Sequence, residues 1–199
     1  VRERLAPALV RGIAGRGALV IGGWTALALV VGLGVARIDV ETDATRWLPP
    51  GHPVRDSYES IRAALSGISP MNVVVRAPEG GNVLDPAVLA AIDGLSRHLE
   101  SLPEVGRTLS IADPLRQLHG EMERDPRQPL PGGLALAEQY MLLLESVEPI
   151  DDLITPDRSA ANVLIRADDN ASASLAGVAD AAEAWWAAHG AGGGEARTT

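Results

Sequence analysis

The chain lacks cysteine, phenylalanine and lysine, so that across 199 residues all 17 basic side chains are arginine. Without cysteine, a disulfide scaffold, a thiolate zinc site and a cysteine nucleophile are excluded. The missing Phe and Lys read as a compositional bias from which no mechanism follows. Positive charge is scarce: the net charge is -9 and the pI about 4.9. That argues against a duplex-binding surface, because phosphate affinity comes mainly from Lys and Arg, and nucleic acid is not an expected partner. Apolar residues are plentiful, and 46% hydrophobic against 22% charged is a globular balance. At roughly 150 residues per domain, the length suits one domain or one domain with an appendage.

One run lacks charge altogether. Residues 17–36, GALVIGGWTALALVVGLGVA, offer only Thr25 and the indole N–H of Trp24 as polar side chains. At about 1.5 Å per residue such a helix spans about 30 Å, the hydrocarbon thickness of a bilayer. Before it, Arg2, Arg4, Arg11 and Arg16 against Glu3 give residues 1–16 a side-chain charge of +3. From Arg37 onward 13 Arg face 25 acids, a charge of -12. The positive-inside rule then predicts a basic cytoplasmic segment (1–16), a transmembrane helix (17–36), a connector (37–53) and an extracytoplasmic domain (54–199). The expected location is the cell (inner) membrane, with the lipid bilayer as a partner and residues 37–199 on the periplasmic side. A buried soluble helix is uncommon at this length with every face apolar. A cleaved signal sequence is the stronger rival, since Gly34-Val35-Ala36 resembles a small-x-small site, although signal cores usually run roughly 7 to 15 residues. Gly22, Gly23, Gly32 and Gly34 suit close helix packing in a membrane bundle.

The connector is acidic over 39–43 and then stiff, because Pro49, Pro50 and Pro53 forbid a helix. Trp47 suits either a membrane interface or packing onto the domain. Val54, Tyr58, Ile61 and Leu65 form one apolar helical stripe, with Gly67 placed to end it. Residues 71–77 read as a strand and 78–82 as its turn. Asp85-Pro86 caps a helix whose apolar positions are Val88, Ile92, Leu95, Leu99 and Leu102, and Pro103 stops it. A second strand is expected at 105–111. Asp113-Pro114 repeats the cap device for a helix carrying Leu115, Leu118 and Met122. Residues 125–133 read as a loop, and 134–147 as a helix too apolar for a single contact, either sandwiched or docked on another subunit or domain. The third strand, 159–167, has a Val163-Leu164-Ile165 run suggesting burial on both faces. A last helix over 172–189 places Leu175, Val178, Ala182 and Trp185 on one side, with Gly190 as its C-cap.

This order defines an α+β fold: one N-terminal transmembrane helix, then a ferredoxin-like (split β-α-β) subdomain with a helical insertion. After the last helix the order holds only an incipient fourth strand, and the last strand of the sandwich is expected to be missing, so the chain reads as a truncated piece of something longer.

Chemistry is sparse. His52, His98, His119 and His189 match no metal spacing, and His98 and His119 are expected at the surface. No G-x-S-x-G elbow is present. Gly12 to Gly17 is glycine-rich but follows no strand. Asp168-Asp169-Asn170 reads as a strand-to-helix turn and N-cap in preference to a cation loop, and Asn170-Ala171-Ser172 is formally a glycosylation sequon. Trp185-Trp186 reads as packing, with one ring facing the sheet. Nothing supports covalent or acid-base catalysis: no catalytic, cofactor-binding or metal residue is assigned, and no cofactor.

Read together, the basic start, single span, acidic connector and Leu48-Pro49-x-x-His52-Pro53-Val54 segment resemble the beginning of RND-superfamily exporters. The branch is the MMPL-like or predicted-exporter group, related to hopanoid and sterol-type transporters. Leu99, Leu102 and Val105, Ser110-x-x-Asp113, Leu130-Pro131 and Tyr140-Met141-Leu142-Leu143 extend the resemblance over the chain, and their order carries it. The resemblance implies a proton-driven exporter of hydrophobic or lipid-like molecules, this segment being its first span and most of its first porter subdomain. The implied partners are that substrate, the remainder of the transporter chain and further copies in a homo-oligomer. In that family the proton-coupling acids lie on later membrane helices, so no functional residue carries over to this chain. The other expectations are a single-pass anchored binding or adaptor protein and, last, an anchored hydrolase.

Overall fold

The computed structural model describes residues 17–35, 47–124, 130–144, 150–168, 170–191 and 194–198. The basic segment 1–16, the acidic stretch 39–43, most of the predicted loop at 125–133 and the end of the predicted helix at 145–147 lie outside them. The chain forms two compact units, residues 1–40 and 41–199.

In the first unit, the predicted span is described as helix α1 (Gly17–Val35), and Ala36 lies outside the described residues. With a mean hydropathy of 2.2 it is long and apolar enough to cross a membrane. Leu19, Ile21, Trp24 and Leu33 on it are all exposed.

The second unit is mixed α+β. Helix α2 (Pro53–Leu65) starts at a proline, and the His52 Nδ1 accepts the Val54 N–H at 3.3 Å. Strand β1 (Ser69–Arg76), helix α3 (Pro86–Glu100) and strand β2 (Val105–Leu109) follow, then helices α4 (Ala112–Glu123) and α5 (Leu134–Leu144). Strand β3 (Ala160–Ala167), helix α6 (Ser172–His189) and strand β4 (Glu195–Thr198) complete the order. The strands form one sheet in the order β2-β3-β1-β4, every neighbouring pair antiparallel. The strand expected to be missing is therefore present. Residues 195–198 pair with β1 from Arg76 to Val73, and the Trp186 indole N–H donates to Gly194 O at 3.0 Å just before it.

The core lies on one face of the sheet. Val73 and Val75 of β1 and Val163 and Ile165 of β3 point into it. From α3 come Val88, Leu89, Ile92, Leu95 and Leu99, as their spacing predicts, and from α6 come Val178, Ala182 and Trp186. On α6 the buried ring is Trp186, four residues beyond Ala182, instead of Trp185. Gly94 makes room for Trp185 between the helices, since a Cβ there would lie 2.9 Å from the Trp185 Cη2. β3 is buried on one face only, because Asn162 and Leu164 between the core residues are half-buried. α5 is likewise one-sided: Ala137, Tyr140 and Met141 are buried, while Leu142 and Leu143 are exposed.

Two further expectations change. The α4 helix begins before the Asp113-Pro114 pair, and Asp113, inside its first turn, accepts the Ser110 N–H at 2.7 Å. The predicted apolar stripe of α2 faces outward: Val54, Ile61 and Leu65 are 59%, 52% and 49% exposed. The side turned inward, half-buried, carries Arg55, Tyr58, Glu59 and Arg62. That inward side is held by polar contacts. Arg62 reaches Glu59 at 3.4 Å and Asp168 at 3.7 Å, and Arg55 donates to Leu48 O at 2.9 Å.

A buried carboxylate ties α3 to α4: Asp93, 3% exposed, pairs with Arg97 on its own helix and with Arg116 on α4. Asp93→Ala removes both charged contacts, and both arginines can turn to solvent. We expect a loss of about 1–3 kcal/mol, measured by denaturant unfolding followed through tryptophan fluorescence. At the entry to β3, hydrogen bonds from Thr155 and Ser159 lower the exposed Asp157 carboxyl from 3.8 to about 2. The resulting stabilisation is present above pH 3.8 and lost as pH falls through about 2. Amide exchange at Ser159, whose N–H donates to Asp157 Oδ1 at 3.1 Å, should therefore accelerate across that window.

Candidate functional site

With α3 and α6 on one side of the sheet, no helix among the described residues forms a layer on the opposite face. Side chains alternate along a strand, so this face carries Arg107 and Leu109 from β2, Leu164 and Arg166 from β3, and Pro70 and Asn72 from β1. They form the floor of a groove of about 630 Å³, walled by Leu65, Gly67 and Ile68 at the end of α2. That volume is within the roughly 300–1,000 Å³ typical of small-molecule sites.

The wall stands where it does because two glycines allow it. Ser66 and Gly67 both adopt left-handed conformations, with φ of 54° and 97°, and the Gly67 N–H caps α2 by donating to Arg62 O at 3.0 Å. Gly67 then passes so close to β3 that a Cβ would lie 2.6 Å from Ala167 O. A Cβ on Gly106, at the irregular register of β2, would lie 1.5 Å from Ser66 O. Arg166 completes the attachment by donating from Nη1 to Leu65 O at 2.8 Å, across 101 residues of sequence. On the reverse side of β2, Glu100 Oε1 accepts from the Thr108 N–H at 2.9 Å and hydroxyl at 3.0 Å, fixing the strand to the end of α3.

The residues weighed from sequence lie elsewhere. His52 caps α2. His98 and His189, 91 positions apart in sequence, flank the Trp185 ring at centroid distances of 6.1 and 4.8 Å. His119, expected at the surface, is 2% exposed, with Nδ1 3.1 Å from the Tyr140 hydroxyl. Its helix is anchored by Leu115 one turn earlier, which turns His119 toward α5. No three His, Asp or Glu side chains among the described residues converge on a metal-binding geometry. Asp168 serves the ion pair with Arg62, Asp169 lies outside the described residues, and α6 begins after Ala171, so neither Asp168 nor Asn170 is its N-cap.

The groove residues went unnoticed in sequence, although a signal existed. Arg107-Thr108-Leu109 reads in reverse as Leu164-Ile165-Arg166, and antiparallel pairing sets Arg107 opposite Arg166 and Leu109 opposite Leu164. Arg107 has no acidic partner among the described residues. Neither the protein-family models nor the curated proteins contain a match to this chain.

Gly106→Ala should lower the unfolding midpoint and speed amide exchange at Ser66 and Gly67. Gly120→Ala on α4, where a Cβ meets nothing within 4 Å, should leave exchange there unchanged and stabilise by about 0.4–1 kcal/mol. Equal behaviour of the two variants would show that the close approach does not hold the wall.

Proposed function

We propose that this chain is the first span and first porter subdomain of an RND-type inner-membrane exporter, moving hydrophobic or lipid-like molecules outward at the expense of a proton gradient. The observation that carries the reading is a span-competent helix followed by an antiparallel sheet whose uncovered face holds a largely apolar groove. The antiparallel strand order β2-β3-β1-β4 with helices after β1 and β3 supports reading the unit as a ferredoxin-like sandwich with α4 and α5 as a helical insertion. On this reading residues 1–16 are cytoplasmic, the second unit is periplasmic, and the groove gives a hydrophobic molecule a surface to follow. α1 holds no ionisable residue, so proton coupling falls to other parts of a larger assembly that includes further copies. No catalytic step is assigned to this chain.

A second reading, a single-pass anchored binding or adaptor protein, draws support from β4. The four strands of the second unit pair in one sheet over a single hydrophobic core. In that case the groove is a ligand site that moves nothing.

Efflux of a hydrophobic fluorescent dye from cells expressing the full-length protein distinguishes the two. The exporter reading expects efflux that a protonophore abolishes. Leu164→Asp, which puts a carboxylate on the groove floor, should slow it about tenfold, equivalent to ~1.4 kcal/mol, at unchanged membrane abundance. Retention of the dye whatever the genotype would leave the anchored binding protein.

A further inference from the structure

We infer that the groove selects a single-chain amphiphile ending in a carboxylate, whose head is held by Arg107 and Arg166. The inference rests on the groove being the ligand surface proposed above, and it adds the charge of the ligand.

Two like charges set directly opposite each other on one face of an antiparallel pair are unfavourable. Here the pair is Arg107 and Arg166, both lining the groove. The repulsion is not relieved locally: Arg166 gives Nη1 to Leu65 O, a neutral carbonyl, and Arg107 has no acidic partner among the described residues. Yet from Arg37 onward acids outnumber arginines by 25 to 13, so a neutralising carboxylate was compositionally easy to supply. Beside the pair the lining turns apolar, through Leu109, Leu164, Pro70, Ile68 and Leu65. A ligand that satisfies both parts has an anionic head and a hydrocarbon body.

The wall chooses among anions. α2 presents its C-terminal end to the groove, and free carbonyls there carry the negative end of the helix dipole. Its Leu65 carbonyl occupies one donor of Arg166, and no helix N-terminus lines the groove. A phosphate head, with charge near -2, meets that opposing field with about twice the charge of a carboxylate. A carboxylate needs one charge neutralised and two oxygens met, which the forked donors of Arg107 with those left on Arg166 supply. The groove volume of about 630 Å³ suits one chain better than a diacyl lipid.

The test uses the full chain in phosphatidylcholine nanodiscs, photolabelled with a diazirine-bearing palmitate and, separately, a diazirine-bearing palmityl alcohol. Labelled peptides are mapped by mass spectrometry. The palmitate probe should label the segments around Leu109 and Leu164, and unlabelled palmitate should displace it at least about tenfold better than palmityl alcohol or lysophosphatidate. Arg107→Gln should cut palmitate labelling about tenfold while leaving alcohol labelling of the same segments unchanged, which also reports that the groove is intact. Arg107→Lys should restore most of the loss. Equal competition by palmitate and the alcohol, or no effect of Arg107→Gln, would overturn charge selection while leaving a hydrophobic groove standing. Stronger competition by lysophosphatidate would overturn the carboxylate assignment. Labelling of these segments by neither probe would remove the groove as a ligand surface, and the proposed export path with it.

Discussion

The packing of α3 and α6 onto one face of the sheet is the contact on which the rest of the domain depends. It sets the core, because Val73, Val75, Val163 and Ile165 can meet Leu89, Ile92, Leu95 and Val178 only from that side. It also sets what is left open. Four strands present two faces, and the helices between strands are spent on one of them. Of the insertion helices, α4 packs against α3 and α5 packs against α4, on the core side of the domain. The groove follows from this division, and its position along the sheet follows from where the turn after α2 can approach the backbone.

Where burial is one-sided and periodic, the sequence was easy to read. α3 is the clearest case, with a proline start, an aspartate cap and apolar residues at alternating spacings of four and three. Strands β1 to β3 were found by their β-branched runs to within a few residues. The misreadings share a physical cause, namely that an apolar stripe shows amphipathicity without showing what lies on either side. For α2 the polar stripe had the better partners, because Arg62 had Asp168 within reach from a distant strand end. His119 looked like a surface residue among charges until the contact with Tyr140 on the next helix was known. Strand β4 is too short and too polar to announce itself, and it is recognised only through its pairing with β1. The groove was the least legible feature, since it is assembled from three strands and a helix end that meet only after folding.

Charge in this chain is informative mainly by location. The sum of -9 combines a basic start with a strongly acidic remainder, a pattern bearing on orientation at a membrane. Within the acidic remainder the arginines divide by role. Arg97 and Arg116 neutralise a buried aspartate and Arg62 ties a helix to a strand end, so these are structural. Arg107 is set apart from them: it stands on the open face, next to Arg166 and beside apolar side chains, in surroundings where an uncompensated cation has consequences for whatever binds.

The wall of the groove and the core of the domain share almost no residues. α2 buries none of its side chains, and it is fastened by a turn, a hydrogen bond from the Arg166 side chain to its last carbonyl, and an ion pair. Changes at Leu65 or Ile68 would therefore alter the shape of the groove while leaving the hydrophobic interior that holds the sheet together. The outline of the groove can therefore change at these positions with little cost to folding. Gly67 and Gly106 are the exceptions, as the two positions at which selection on shape and selection on folding act on the same atoms.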